Sequence, residues 1–302
     1  MRLETLDDML PYCLENIPRR SLAVIKPEDD HTLKALSLVK EKGVADPILI
    51  GNEKLIRGIL AEIGDNPDNY QIIDMDDYKE ATMKAIQMIH EKKAELIMKG
   101  TVDTKDLMKL IVARDAGMRT DRVMSKFDFM ENPGYHKLFS LSDSALNPKP
   151  DVKMKKLIIE NALDVLHSMG IEKPKVAVLA AAEEVNPKLQ ESTDAYELKK
   201  MYENGEFSPC ILEGPISIDL ALDPESAKIK KYPSPVGGDA DLLICPDLVS
   251  GNMMGKGMLL TGAKDAGIIV GAKVPIVLTS RAASVEDKFR SILLGVIASW
   301  RK

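Results

Sequence analysis

A serine, an arginine and an aspartate fall within eight residues of each other in the stretch "SRAASVED", residues 280–287. Arg281 carries a permanent planar cation that can grip a phosphate group through two hydrogen bonds. Asp287 can accept a proton if its carboxylate faces a ligand. Ser280 directly follows an apolar run, where the polar ends of buried strands gather. The spacing predicts an anion site with a base beside it.

The same stretch also matches a helix start. Ser284 and Asp287 have the S-x-x-[DE] spacing of a capping box, in which the serine caps the helix and the carboxylate occupies its first turn. The free N–H groups of a helix N-terminus favour an anion. The structural and functional interpretations are compatible, because a capping carboxylate keeps a second oxygen available.

Short apolar runs alternate with amphipathic stretches along most of the chain. The runs are continuous rather than alternating, as in strands buried on both faces of a parallel sheet. We therefore predict an α/β fold with helices on both sheet faces, whose ligands bind at the carboxyl ends of the strands. The predicted strands cover residues 21–27, 47–51, 70–75, 94–100, 137–143, 175–182, 208–214, 240–247 and 274–280, and two of the predicted helices cover 76–93 and 151–170.

Composition narrows the functional classes. A chain of 302 residues predicts one large or two medium domains. A net charge of −6, with both signs mixed, argues against a nucleic-acid binder. The cysteines Cys13, Cys210 and Cys245 lack metal-ligand spacing, and the odd count suggests a reducing compartment. With no signal peptide and no apolar run of about 20 residues, we expect a soluble cytoplasmic protein and no membrane partner.

Several stretches together carry a family resemblance. "GTVDTKDLMK", "LFSLSDSALNPKP", "PDLVSGN" and "LTSRAASVED" occur in this order. The likeness runs from about residue 20 to residue 300. With these motifs the chain resembles the phosphate acetyl- and butyryltransferases, and most closely the butyryltransferase branch.

The resemblance implies a two-domain αβα architecture like that of the isocitrate and isopropylmalate dehydrogenases, with the active site in the interdomain cleft. In this pattern the first domain would comprise residues 1–140 plus 283–302, and the second residues 141–282. Members of the family are usually homodimers or larger homo-oligomers.

The resemblance also implies a reaction, the reversible transfer of an acyl group between coenzyme A and inorganic phosphate to give an acyl phosphate. Asp287 would be the general base on the coenzyme A thiol, while Ser280 and Arg281 would hold the acyl phosphate. Thr104 and Asn147 match ligand contacts. No metal or redox cofactor is implied.

Two positions depart from the acetyltransferase pattern. Lys109 stands where those enzymes carry an arginine, and a second family arginine falls at Met258, close to Lys256. We expect Lys109 and Lys256 to be substrate-binding residues, together with Asn252 of "PDLVSGN". The two departures favour butyryl, or another short acyl group, over acetyl.

Three alternatives remain open at this point. The first is a phosphate acetyltransferase, and the second is a non-catalytic acyl-CoA sensor domain. The third is a metal-dependent decarboxylating dehydrogenase on the same fold, for which Asp239, Asp241 and Asp247 are the candidate metal ligands, although exposed aspartates near a strand are common.

Overall fold

The computed structural model describes residues 3–300 and divides into two compact units. The terminal unit comprises Asp7–Asp121 together with the described residues from Ala266 onward. The central unit comprises Arg122–Asp265 together with the described residues up to Leu6. The expected domain limits, at residues 140 and 282, stay a prediction.

Strands and helices alternate along the described chain. The strands are β1 (Arg20–Ile25), β2 (Ala45–Gly51), β3 (Gln71–Asp74), β4 (Leu96–Lys99), β5 (Ser125–Glu131), β6 (Phe139–Ser142), β7 (Lys175–Leu179), β8 (Ile211–Ile216), β9 (Leu242–Ile244), β10 (Lys264–Val270) and β11 (Ile276–Val277). The helices are α1 (Met9–Asn16), α2 (Asp30–Glu41), α3 (Glu53–Glu62), α4 (Tyr78–His90), α5 (Thr104–Ile111), α6 (Val152–Ser168), α7 (Gln190–Glu203), α8 (Ile218–Leu222), α9 (Pro224–Ile229), α10 (Leu248–Leu260) and α11 (Val285–Ser299).

The terminal unit is built on a sheet in the order β3-β2-β1-β4-β11-β10. Neighbouring strands are parallel except β10, which is antiparallel to β11. Four consecutive residues of β1, Leu22–Ile25, have no exposed surface. Such a run requires cover on both faces, so the continuous apolar pattern correctly predicted a parallel sheet here.

Helix α11 lies close against this sheet. A side chain at Gly295 would meet a methyl group of Val277 at 2.8 Å and one of Leu96 at 3.0 Å. Only glycine permits so close an approach of the helix backbone to β11 and β4. The sheet therefore fixes the position of α11 and of the residues at its N-terminus.

The strands of the central unit lie in the order β5-β6-β9-β7-β8. The strands are parallel apart from the antiparallel pair β5 and β6. Phe139, Leu141, Ala177, Ile216 and Leu243 are buried together in its core. No helix within residues 3–300 is both long and apolar enough to span a membrane.

Every predicted strand region contains a strand, and both predicted helices are present as α4 and α6. Two strands were missed, β5 and β10. In β5, "SKFDFME", charged residues alternate with aromatic ones, and β10 runs almost directly into the apolar stretch of β11. Both make antiparallel pairs, which do not require the continuous apolar pattern used to find the others.

Candidate active site

The parallel strands β1, β4 and β11 of the terminal unit end at one edge of its sheet, here called the carboxyl edge. It is formed by residues 26, 99–101 and 279–281. The backbone N–H of Thr101 donates to the carbonyl oxygen of Lys26 at 2.8 Å. A Cβ at Gly100 would collide with that same oxygen, so position 100 requires glycine. The loops after β1 and β4 are thereby held together.

The predicted capping box is present at the start of α11. The N–H of Asp287 donates to the hydroxyl of Ser284 at 3.1 Å, and the N–H of Ser284 donates to Oδ2 of Asp287 at 3.3 Å. Lys288 Nζ donates to the carbonyl oxygen of Ser280 at 3.4 Å. The first turn of α11 is therefore tied to the loop that carries Ser280 and Arg281, and the structure brings these site residues together.

Asp287 keeps one oxygen outside the capping interaction. Its Oδ1 lies 3.8 Å from Nη1 of Arg290. The other terminal nitrogen of that guanidinium, Nη2, donates a hydrogen bond to Oδ1 of Asp7 at 3.1 Å. The Asp287 side chain is 38% exposed. The cap thus fixes the carboxylate without burying it, and its second oxygen can meet a ligand proton.

Thr104 and Lys109 lie on one helix but are not brought together. Thr104 is the first residue of α5, directly after the N-cap Asp103, and Lys109 lies in the last turn. Five residues on a helix correspond to about 7.5 Å along the axis and about 140° around it. Both side chains are exposed, and they point in different directions.

The other three expected contacts belong to the central unit. Asn147 is buried, and its amide donates to the carbonyl oxygen of Met124 at 2.9 Å and to Asp143 at 2.5 Å. Asn252, on α10, donates to the carbonyl oxygen of Ser144 at 3.2 Å. Lys256 follows one turn later on the same face of α10 and is exposed. The amide nitrogens of Asn147 and Asn252 therefore hold the loop after β6.

Two buried lysines at the carboxyl edge were missed at the level of sequence. Lys99 is 3% exposed and Lys288 is 2% exposed. Burial lowers the pKa of both, and the positive charges of Lys288 and Arg281 lower the pKa of Lys99 further. Each lysine is unusual for its position in the sequence. Lys99 is a charged residue at the end of a buried apolar run, and Lys288 is a cation near a helix N-terminus, where the helix dipole favours anions.

The aspartates considered for a dehydrogenase metal are engaged elsewhere. Lys137 Nζ lies 2.8 Å from Asp239 and 2.6 Å from Asp241, and Asp247 caps α10 by accepting from the N–H of Ser250. Within residues 3–300, no group of three or more histidine, cysteine or acidic side chains is arranged to hold a metal ion. These contacts assign the three carboxylates structural roles.

Comparison with known sequences places the chain among acyltransferases. Residues 75–296 match the family model described as "Phosphate acetyl/butaryl transferase". A phosphate butyryltransferase of Clostridium acetobutylicum is 36% identical over 94% of this chain and 94% of its own length. A phosphate acetyltransferase of Rhizobium meliloti is 38% identical over 92% of this chain and 89% of its own length.

Solved structures agree with these relatives. A branched-chain phosphotransacylase from Enterococcus faecalis superposes with a TM-score of 0.82 and 29% identity, over 93% of this chain and 99% of its own. A putative 4-hydroxythreonine-4-phosphate dehydrogenase from Salmonella typhimurium shares the fold, with a TM-score of 0.59 and 13% identity over 93% and 99% of the two chains. This likeness confirms the expected dehydrogenase-like architecture. The chain belongs to the phosphate acetyl/butyryl transferase family.

Proposed function

We propose that the protein catalyses the reversible transfer of a short acyl group, preferably butyryl, between coenzyme A and inorganic phosphate. The observation that carries the proposal is the tie between the Ser280–Arg281 loop and the first turn of α11. It gathers a cation for phosphate, a hydroxyl and an accessible carboxylate at one strand end. These are the groups that the reaction needs.

In the direction of acyl-CoA synthesis, Asp287 takes the proton from the coenzyme A thiol. A free thiol has a pKa of about 8.5, so a base that generates the thiolate helps directly. The thiolate attacks the carbonyl carbon of the acyl phosphate, while the Ser280 hydroxyl donates to the developing oxyanion. The bond between the carbonyl carbon and the phosphate oxygen then breaks, and phosphate leaves held by Arg281 and takes the proton from Asp287.

The reverse reaction uses the same groups. An oxygen of hydrogen phosphate attacks the thioester carbonyl and the phosphate proton passes to Asp287; the carbon–sulfur bond breaks, and the coenzyme A thiolate takes that proton from Asp287. Neither a metal nor a redox cofactor takes part in this scheme. We further propose Thr104, Lys109, Asn147, Asn252 and Lys256 as substrate contacts, in a cytoplasmic homodimer or larger homo-oligomer.

The lysines at positions 109 and 256 support the preference for butyryl. Both are exposed on their helices, where acetyltransferases of this family pattern carry arginines at or near the corresponding positions. An ammonium keeps the charge but loses the two-pronged grip of a guanidinium. One methylene in an apolar pocket provides about 1–3 kcal/mol of discrimination, so the preference is measurable.

The test is an assay of free thiol released from a series of acyl-CoAs, from acetyl to hexanoyl, with saturating phosphate. We expect the highest kcat/KM with butyryl-CoA or a neighbouring chain length. An optimum at acetyl-CoA would favour a phosphate acetyltransferase instead. Binding of acyl-CoA in calorimetry, without thiol release from any member of the series, would overturn catalysis and favour the acyl-CoA sensor.

A further inference from the structure

Lys99 and Lys288 are two buried cations to which the reaction scheme gives no contact with a substrate. Lys99 Nζ donates to the carbonyl oxygens of Gly100 at 3.1 Å and Val102 at 3.2 Å. Among residues 3–300, Lys288 Nζ has two hydrogen-bond contacts, each long at 3.4 Å, to the Thr279 hydroxyl and the Ser280 carbonyl oxygen. Within the described chain, neither Nζ has a carboxylate oxygen within 4.0 Å. Both charges are therefore buried without an ion-pair partner.

The carboxylates whose charges act on these lysines are engaged at helix ends. Asp29 faces both lysines and Asp103 faces Lys99, and each raises the pKa of the lysine that it faces. Asp29 caps α2 by accepting from the N–H of Thr32 at 2.8 Å, and Asp103 caps α5 by accepting from the N–H of Lys105 at 2.9 Å. Burial outweighs both carboxylates, and the pKa of each lysine is lowered.

A third lysine at the same edge, Lys26, is neutralised by carboxylates of the protein. Lys26 Nζ lies 2.7 Å from Glu28 and 3.0 Å from Asp76, so two carboxylates neutralise it. An unpaired buried ammonium is costly, and proteins normally avoid it by pairing. The missing negative charge beside Lys99 and Lys288 is what an anionic ligand would supply.

The surrounding backbone also favours an anion. Helices α2, α5 and α11 all begin beside these lysines, and His31 in the first turn of α2 lies 3.2 Å from the carbonyl oxygen of Ala283. Helix N-termini carry a partial positive charge. The two lysines, Arg281 and three helix N-termini thus bring positive charge to one end of the sheet, opposed by the carboxylates of Asp29, Asp103 and Asp287.

We propose that Lys99 and Lys288, with Arg281, form a phosphate subsite that binds inorganic phosphate and the phosphoryl group of acyl phosphate. The inference rests on the proposed function and adds two binding residues to it. Phosphate groups also occur in coenzyme A, with the same chemistry. The reacting phosphate is favoured because Lys288 contacts the backbone of Ser280, the residue placed at the reacting carbonyl.

The test replaces each lysine with methionine, whose unbranched side chain is of similar length but carries no charge. Calorimetry with inorganic phosphate reads binding, and the thiol assay reads KM. We expect Lys99→Met and Lys288→Met each to raise the Kd and KM of phosphate by about 30-fold or more, as for other truncated partners of buried charges. The KM of the acyl-CoA is expected to stay within about twofold of the wild-type value.

Unchanged phosphate binding in both variants would overturn the subsite. A higher acyl-CoA KM with an unchanged phosphate KM would assign the lysines to coenzyme A instead, and the effect would then shrink with the dephospho-CoA thioester. Lys288→Gln provides a second variant, since its amide can still donate to the Thr279 hydroxyl without carrying a charge. The same loss of phosphate affinity is expected there.

Lys155→Met is the matched control, because Lys155 is equally buried but lies in the central unit and pairs with Asp194. Its phosphate Kd should equal that of the wild type. Calorimetry also separates the two proposals. Phosphate binding that depends on the lysines, without any thiol release, would remove the acyl transfer and keep the subsite. Thiol release together with a phosphate Kd that is the same in the wild type and in both lysine variants would keep the acyl transfer and remove the subsite.

Discussion

The two units treat buried lysines in opposite ways. In the central unit, Lys155 and Asp194 are 4% and 6% exposed and lie 2.7 Å apart. The partly buried Lys126 of the same unit lies 2.8 Å from Asp128; burial alone would lower its pKa, but Asp128, together with Asp265 and Asp143, outweighs burial and raises it. In the terminal unit, Lys99 and Lys288 have lowered pKa values and no ion-pair partner within the described chain. The lysines of the central unit are neutralised by carboxylates of the protein, whereas the two lysines of the terminal unit carry the proposed phosphate subsite.

The largest expected effect is that of Asp287→Ala at the carboxyl edge. Loss of the base should lower kcat by about 10²- to 10⁴-fold. The free energy of unfolding should fall by about 1 kcal/mol or less, because only one half of the capping box is lost. Thiol release and urea denaturation measure the two quantities on the same preparation.

Ser284→Ala is the control for this variant, since it removes the other half of the capping box and keeps the carboxylate. It should cost about 1 kcal/mol of unfolding free energy and leave kcat within a few-fold of the wild-type value. If Asp287→Ala instead behaved like Ser284→Ala, with turnover preserved, the carboxylate would be a cap and not a base.

The second-largest expected effect is on the free energy of unfolding and comes from a substitution in the central unit. Lys155→Met strands the buried carboxylate of Asp194, which should lower the free energy of unfolding by about 3–5 kcal/mol. Denaturant midpoints give this value. The double variant Lys155→Met/Asp194→Leu should recover most of the loss, because an apolar pair can replace a buried ion pair. A loss as large in the double variant would show that packing, rather than the stranded charge, was responsible.

The smallest effect concerns pH. In phosphate-free buffer, the folded protein holds protons on Lys99 and Lys288 less tightly than the unfolded chain does. Stability should therefore rise with pH in the window just below the ordinary lysine value of 10.5. The rise is about 1.4 kcal/mol for each unit by which a pKa is lowered.

The reference for the pH experiment is the double variant Lys99→Met/Lys288→Met, which should lack this rise. Saturating phosphate should reduce the slope of the wild-type protein, because the bound anion restores the charged form of each lysine. If the free energy of unfolding changed with pH in the same way in both proteins, the lowered pKa values of Lys99 and Lys288 would be contradicted. The difference between the buried lysines of the two units would then be smaller than described.

Much of this fold was predictable because its strands are buried on both faces. Runs such as "SLAVI" and "ELIMK" admit no amphipathic alternative, and their ends mark where ligands bind. The capping box at Ser284 was predictable for a similar reason, since it is a local backbone requirement.

The buried lysines were not predictable, because burial depends on which helices cover a strand end. In the sequence, Lys288 is one more charge after "VED", and its burial becomes visible only once α11 packs against α2 and the sheet. The structural roles of Asn147 and Asn252 were not predictable either, because their amides donate hydrogen bonds to backbone oxygens of residues far away in the sequence. Nonlocal contacts of this kind leave little trace in residue spacing.

The segmentation of the two units has a consequence for biosynthesis. Residues 122–265 of the central unit are contiguous, so this stretch has been translated before β11 and α11 are made. The sheet of the terminal unit is interrupted until then, because β11 lies between β4 and β10. Until the last 30 or so residues emerge, β4 presents an unpaired edge, the kind of surface that nucleates aggregation. The strand just before the segment that carries Asp287 and Lys288 therefore also covers the edge of β4, which stays open until late in translation.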